Sequence, residues 1–252
     1  MKKSTQGASK SVVWRVLRYI VLVLIFGAYA NFLLYQPSLP AADDMARHVT
    51  NGKLLLSGEW NVLYENVYSY TDTGHPFVNH HWLSGLVYYL LLLVVGWEGL
   101  VVLKVLTYLG AFGLVFAAAC KKADFWAVAA FSIPAILILL ERTSLRPEMF
   151  SYLFIAIVIY VLTDLDTHPE RKHIFWLIPL QLLWVNMHIF FSIGIMMVGA
   201  YLTGKVLTHL DSFWRDPLIR KVGIVLIGMV CISFLNPHGV NGVFYRYPSE
   251  FP

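Results

Sequence analysis

Long apolar runs alternate with short polar segments along most of this chain. Eight runs are visible, at 12–34, 82–95, 100–119, 125–140, 149–163, 174–185, 189–207 and 222–235. A helix needs about 20 apolar residues to cross a hydrocarbon layer of about 30 Å, so several runs are short for a crossing. The pattern predicts an all-α fold, a polytopic transmembrane helical bundle of about seven or eight membrane segments. We expect residues 1–252 to form a single membrane domain, with 236–252 as an outer turn.

The first apolar run follows a basic amino terminus. Residues 1–18 carry five Lys and Arg residues and no acid. The run that follows is longer than the apolar core of a signal peptide and lacks a convincing cleavage site. We therefore predict an uncleaved first span at 12–34, with the amino terminus in the cytoplasm.

The segment 36–81 is polar, with five acidic residues against two basic ones. This balance predicts a large first extracytoplasmic loop. Its first part, 40–57, reads as an amphipathic helix in which Met45, Val49 and 54–56 supply apolar contacts. Gly58 follows, and glycine commonly ends a helix.

Lys and Arg residues in the later polar turns set the expected orientation. They cluster at Lys121 and Lys122, at Arg171 and Lys172, and at Arg215, Arg220 and Lys221. By the positive-inside rule these are three cytoplasmic turns. The parity fails once, because two runs lie between the outer loop and Lys121 where one crossing is needed. Either the 82–95 run is a re-entrant or interfacial helix, which we favour, or the Lys121 pair breaks the rule.

Composition supports the membrane assignment. Hydrophobic residues make up 58% and charged residues 13%, against about 45–50% and 25% in soluble domains. This composition excludes a soluble globule, a disordered chain and a nucleic-acid-binding arm. The two cysteines, Cys120 and Cys231, lie in or at the end of apolar runs and indicate no disulfide framework.

The predicted orientation gathers polar residues on the outer side. The candidate site residues are Asp43, Asp44, His48, His80, His81, Arg142, Arg146, Asn186, His188 and His238. Such a group beside short spans suits a lipid-linked polar substrate, since ionisable residues near membrane segments suggest function. Asp43 precedes Arg47 by four residues, an ion-pair spacing, whereas Asp44 precedes His48 by four. Asp44 is therefore the better chemical candidate.

Structural roles remain open for the same residues. The two aspartates also suit the start of a helix, where carboxylates accept from free N–H groups. Arg142 and Arg146 could anchor to lipid headgroups. His80 and His81 resemble an interfacial belt, and the segment 236–239 reads as a proline-glycine turn.

No cofactor is indicated. A divalent metal held by Asp44, His48, His80 and His81 is a minor alternative, because these residues form no tight ligand motif. Phosphate-binding loops, dinucleotide fingerprints and hydrolase motifs are also missing from the sequence.

Five short stretches together resemble bacterial polytopic glycosyltransferases of the GT-C type, in a poorly characterised branch. They are Asp44 to His48 with Gly52; Tyr68 to Thr71 with Gly74 and 79–83; Arg146-Pro147 leading to Phe150-Ser151; 184–188; and Asn236-Pro237-His238-Gly239. They extend from the first outer loop to near the carboxyl end. Each stretch is weak alone, and the likeness comes from their order.

The resemblance implies a multispan fold and a sugar donor carried on a polyprenyl phosphate, with Asp44 as catalytic carboxylate. It implies transfer to an acceptor at the outer face of the bacterial cytoplasmic (inner) membrane, as part of building the cell envelope. Two features depart from the family. Acids are common there where this chain has His81 and Gly85, and family chains continue further, so we expect a C-terminally truncated chain.

Two other classes of function stay open from the sequence. A transporter or flippase of a lipid-linked saccharide would bind the same headgroup without breaking a bond, although the paired interrupted halves of many transporters are not seen. A noncatalytic membrane subunit is the other. The expected partners are the lipid-linked sugar donor and membrane lipids, with no nucleic acid, and the oligomeric state is open.

Overall fold

The computed structural model describes residues 3–35, 44–72, 77–208, 210–211 and 213–244, without the side chains of 3–11 and 142. Within these ranges the chain forms helices and no β-strand. The helices are α1 Lys3–Tyr35, α2 Met45–Leu56, α3 Trp82–Val95, α4 Trp97–Cys120, α5 Phe125–Leu139, α6 Glu148–Leu165, α7 Leu177–Met187, α8 Phe191–Thr208, α9 Pro217–Ile232 and α10 Val240–Phe244. Short 3₁₀ turns occur at Trp60–Leu63, Leu140–Arg142, His173–Trp176 and Phe213–Arg215.

Four helices in the described ranges are long and apolar enough to cross a membrane. They are Val12–Tyr35, Trp97–Cys120, Glu148–Leu165 and Phe191–Thr208. Three shorter apolar helices, Trp82–Val95, Phe125–Leu139 and His173–Met187, accompany them. The all-α prediction is confirmed, and the chain is compatible with a helical membrane protein. Seven or eight crossings would require shorter helices as well, drawn from these three and α9.

Local chemistry explains where several helices begin and end. Asp124 precedes α5 and its carboxylate accepts from the Trp126 N–H at 2.8 Å. Asp216 does the same for α9, accepting from the Leu218 N–H at 2.7 Å. Both are ordinary N-caps. Gly96 is the single residue between α3 and α4. Its φ of +84° is a backbone conformation that favours glycine.

The centre of the bundle is α4 packed along α6, with α1 on the outer side of α4. Phe26 of α1 contacts Phe112 of α4, with ring centroids 5.2 Å apart. Nearer the N-terminus of α1, the guanidinium of Arg18 lies 5.3 Å from the centre of the Phe125 ring at the start of α5. Helix α1 therefore runs antiparallel to α4.

Basic turns and one buried carboxylate close one end of the bundle, which we call the basic end. Asp164 of α6 is 1% exposed and pairs with Lys121, and it accepts two hydrogen bonds from Arg171 at 3.0 and 2.8 Å. Lys122 pairs with Asp166 at 2.7 Å. Lys221 donates to the Arg171 carbonyl at 2.7 Å. All three predicted basic clusters of the turns are thus represented, by Lys121, Arg171 and Lys221.

The opposite end of α6 carries Ser151, thirteen residues before Asp164. At 1.5 Å per helical residue, the two positions are separated by about 20 Å along the axis. The candidate site described below lies at the Ser151 end. The bundle therefore keeps its basic turns and its candidate site far apart.

Candidate functional site

Helix α2 lies against α3 through two glycines. A Cβ atom on Gly52 would come within 2.7 Å of the Gly85 carbonyl carbon, and one on Gly85 within 2.5 Å of the His48 carbonyl oxygen. The backbones of the two helices therefore touch. The buried face of α2 is Met45, His48, Asn51, Gly52 and Leu55.

That face differs in part from the predicted one. The predicted helix began at 40, but it begins at Met45, and 40–43 lie outside the described residues. Val49 and Leu54 are half-buried and Leu56 is exposed. The face of α2 that packs on α3 therefore includes His48 and Gly52. Hydrophobicity alone missed this because glycine and histidine supply the contact.

Three histidines from separate parts of the chain lie with their rings in contact, and we call them the histidine cluster. The His48 and His81 rings are 5.3 Å apart, and the His81 and His188 rings 5.1 Å. His81 immediately precedes α3 and His188 immediately follows α7. His48 and His188 are only 4% and 6% exposed. The cluster is thus a built and mostly buried feature.

Asn186 holds the ends of three helices together beside the cluster. Its Oδ1 accepts from Trp82 Nε1–H at 3.0 Å, and its Nδ2 donates to the Leu235 carbonyl at 3.1 Å. Ser84 of α3 adds a hydrogen bond to the Met187 carbonyl at 2.8 Å. Both polar groups of Asn186 are used by the protein itself, so its observed role is to position the end of α7.

His80 and His238 lie close to the cluster, since His238 acts electrostatically on His80 and His80 acts on His81. The His238 ring contacts the Tyr64 ring at 5.1 Å, and Tyr64 Oη donates to the Pro237 carbonyl at 3.5 Å. Asn79 donates to the Val62 carbonyl at 3.2 Å and so fixes the backbone before His80. The polar segment before α3 and the segment 236–239 therefore meet, although Tyr64 and Pro237 are 173 residues apart in the chain.

Burial keeps the histidines neutral. It lowers the pKa of His48 to about 4, with Arg47 and Arg146 acting in the same direction and Asp44 against them. It also lowers the pKa values of His80 and His188 to about 4, and that of His81 to about 2, where neighbouring histidines add to the effect. At neutral pH these side chains are hydrogen-bonding groups without charge.

Two charged candidates, Asp44 and Arg146, lie near the His48 ring. Asp44 lies at the N-terminus of α2 with its carboxylate exposed, and its Oδ2 is 3.9 Å from Arg47 Nη2. The sequence predicted an ion pair between Asp43 and Arg47; Asp43 lies outside the described residues, and within them Arg47 pairs with Asp44. Its charge still acts on His48. Half-buried Arg146 acts on the same imidazole.

Two predicted site residues fall outside this description. Asp43 lies outside the described residues, and Arg142 belongs to the 3₁₀ turn Leu140–Arg142 with its side chain undescribed. The other eight candidates lie at one end of the bundle.

Sequence reasoning did not assign roles to Ser151 and Trp184. Both are fully buried, and Trp184 Nε1–H donates to Ser151 Oγ at 2.8 Å. Ser151 Oγ lies 2.9 Å from His188 Nδ1. A serine within an otherwise apolar run was the available signal, since a buried hydroxyl needs a partner.

A cavity of about 590 Å³ opens among α1, α4, α5 and α6, and its lining is almost wholly apolar. Small residues such as Ala119, Ala127 and Ala156 make room for it, and Tyr108 and Tyr152 line it near the Ser151 end. Tyr152 is the neighbour of Ser151 in the chain. The cavity therefore extends along the bundle from the level of Ser151 towards the basic end.

Among the residues that the structure describes, no three His, Cys, Asp or Glu side chains converge closely enough to hold a metal ion. No protein-family model, no curated protein and no solved structure matches this chain.

Proposed function

We propose that this protein is a membrane glycosyltransferase of the GT-C type. It moves a sugar from a polyprenyl-phosphate donor to an acceptor at the outer face of the bacterial cytoplasmic membrane. The observation that carries the proposal is the convergence of three separate chain segments in the histidine cluster, with Asp44 and Arg146 beside it.

Neutral imidazoles are better suited to binding a sugar than to binding an anion. Each offers one N–H donor and one nitrogen acceptor, the pattern that a hydroxyl group requires. Burial of His48 and His188 excludes competing water and makes such hydrogen bonds stronger. The cluster would therefore bind the sugar hydroxyls, and the arginines would supply charge for the phosphate.

The chemical step divides between a base and a cation. Asp44 would accept the proton of the acceptor hydroxyl as its oxygen attacks the anomeric carbon. The bond from that carbon to the phosphate oxygen breaks, and the polyprenyl phosphate leaves with the electron pair. Arg146 would stabilise the charge that grows on the phosphate.

The apolar cavity fits the hydrocarbon part of such a donor. Its lining by Tyr108 and Tyr152 near the site, and by alanines further along, suits a branched chain in contact with the membrane interior. A polyprenyl chain lying there would place its phosphate at the Ser151 end of α6.

The proposed topology has seven crossings, α1 and α4 to α9, with the amino terminus in the cytoplasm. Helix α4 by itself reaches from Tyr108, which donates to the Ser144 carbonyl at 3.1 Å, to Lys121 at the basic end. Helix α3 would then be the apolar helix that does not cross, and this restores the parity of the basic turns.

Replacement of the proposed base tests the assignment. We expect Asp44→Asn to lower sugar transfer by about 100-fold or more, because the amide cannot accept the proton. The assay follows a radiolabelled polyprenyl-phosphate sugar into product in membranes that contain the full-length protein.

Asp211→Asn is the matched control. Asp211 is an exposed aspartate in the turn after α8, so its loss should leave transfer unchanged. Transfer that survives Asp44→Asn at the wild-type rate would remove Asp44 from the mechanism. Movement of intact donor across vesicles without any product would contradict the transferase assignment itself.

A further inference from the structure

The hydrogen bonds around His188 determine which of its ring nitrogens carries the proton. An indole N–H can only donate, so Ser151 Oγ accepts the bond from Trp184 at 2.8 Å. The Ser151 hydroxyl hydrogen is then available to donate, and His188 Nδ1 lies 2.9 Å from the oxygen.

A second donor acts on the same nitrogen. The backbone N–H of Phe190 points at His188 Nδ1 from 3.3 Å. A backbone N–H can only donate, so this longer and weaker bond adds to the preference for a lone pair on Nδ1 that the Ser151 hydroxyl sets. In a neutral imidazole the proton is then on Nε2.

The bonds from Trp184 to Ser151 and from Ser151 to His188, which we call the relay, are held in place by packing. Ser151 and Trp184 are fully buried, and the Trp184 ring contacts Phe154 with centroids 5.6 Å apart. Gly194 of α8 leaves room for the indole, since a Cβ atom there would come within 2.6 Å of it. The indole therefore cannot turn its N–H away from Ser151.

We infer that Ser151 and Trp184 are positioning residues that keep His188 in the tautomer protonated on Nε2, so that His188 presents an N–H donor within the histidine cluster. No hydrogen-bond partner of His188 Nε2 lies among the described residues. The group it faces would be an oxygen acceptor, a sugar hydroxyl or a phosphate oxygen of the donor. This last identification rests on the proposed function, whereas the tautomer does not.

Nitrogen NMR of the histidine rings tests the tautomer directly. The full-length protein, labelled with ¹⁵N-histidine in detergent micelles at pH 7, is compared with His188→Gln to assign the His188 resonances. We expect Nδ1 to resonate as an unprotonated, pyridine-type nitrogen and Nε2 as a protonated, pyrrole-type one. A protonated Nδ1 in the wild-type protein would overturn the inference, and this arm needs no variant of the relay.

Two variants then test the relay. Ser151→Ala leaves Nδ1 with only the longer bond from Phe190, so its resonance should move towards the protonated type. Trp184→Phe removes the N–H donor that orients the Ser151 hydroxyl, and it should move the Nδ1 resonance of His188 in the same direction.

Ser233→Ala is the control. It removes another buried hydroxyl, which accepts a hydrogen bond from Gln181 Nε2, and it should leave the His188 signals in place. Signals that stay at wild-type positions in folded Ser151→Ala would refute the positioning role. The readout does not require turnover, so a failure of the Asp44 test and a failure of this one are distinguishable.

Discussion

At the scale of single residues, His81 shows best how this protein uses its histidines. Its ring lies between those of His48 and His188, and burial together with these neighbours lowers its pKa to about 2. Several positive charges could not share so small a space. The residues therefore function as neutral imidazoles, and charge is left to Asp44 and the arginines around them.

This burial predicts how stability depends on pH. The folded-state pKa of His48 is about 4, below its ordinary value of 6.5, so the unfolded chain takes up the proton first as the pH falls. Stability should be fully present above about pH 6.5 and decline as the pH falls towards 4. His48→Gln should flatten this slope by up to about 1.4 kcal/mol per pH unit, the value of one proton.

Thermal unfolding of the protein in detergent between pH 4 and 7 measures the slope. His168→Gln serves as comparison because His168 lies at the basic end, 3.4 Å from Asp164, and leaves the cluster intact. An identical slope in the wild-type protein and in His48→Gln would show that His48 takes up its proton as readily in the folded state as in the unfolded chain.

At the scale of elements, the junction of α2 and α3 decides whether the site exists. Helix α2 carries His48 and α3 is preceded by His81, and the close contact between Gly52 and Gly85 lets the two rings come together. The segment between the helices adds the hydrogen bond from Tyr68 Oη to Asn51 Oδ1 at 2.5 Å. A helix that is polar on one side is thus part of the protein core.

Gly52→Ala should loosen this junction. The new methyl group has no room beside the Gly85 carbonyl, and overpacking of this kind costs about 1–3 kcal/mol, more than the gain of about 1 kcal/mol from alanine in a helix. Trypsin should then cleave faster after the exposed residues Arg47 and Lys53 of α2.

Gly199→Ala is the paired control, since nothing lies within 4 Å of a Cβ atom at Gly199 in α8. Cleavage in α2 should keep its wild-type rate there. Equal rates in Gly52→Ala and the wild type would mean that α2 does not depend on this glycine contact.

At the scale of the whole molecule, the bundle separates two chemistries along its length. The neutral histidines and Asn186 lie at one end, and Asp164 with its cationic partners lies at the other, about 20 Å away along α6. In the proposed topology the two ends face opposite sides of the membrane. This arrangement leaves the candidate site on the outer side.

Single-cysteine labelling tests that arrangement. In a background without Cys120 and Cys231, Tyr70→Cys should react with an impermeant maleimide in intact cells, because Tyr70 is fully exposed in the loop that reaches Asn51 through Tyr68. Lys122→Cys, at the basic end, should react only after the membrane is opened. Labelling of both positions from the same side would rule out the proposed topology.

Much of the helical pattern follows from the sequence. The predicted run at 82–95 coincides with Trp82–Val95, and that at 125–140 nearly coincides with Phe125–Leu139. The last run was predicted at 222–235, whereas α9 is Pro217–Ile232. The difference has a physical cause: Asp216 caps the helix and Pro217 begins it, while hydropathy excludes Arg220 and Lys221 although both are helical.

The sequence by itself determined that the chain is helical, apolar along its length and polar in its turns, because local hydropathy and capping residues decide these properties. Only the tertiary structure decided that His48, His81 and His188 share one cluster, that Asp44 pairs with Arg47, and that Ser151 orients His188. The residues of each pair are either distant in the chain or, like Asp44 and Arg47, about one helical turn apart. They depend on how the helices pack, above all on the glycine contact between α2 and α3, which no local pattern of apolar residues records.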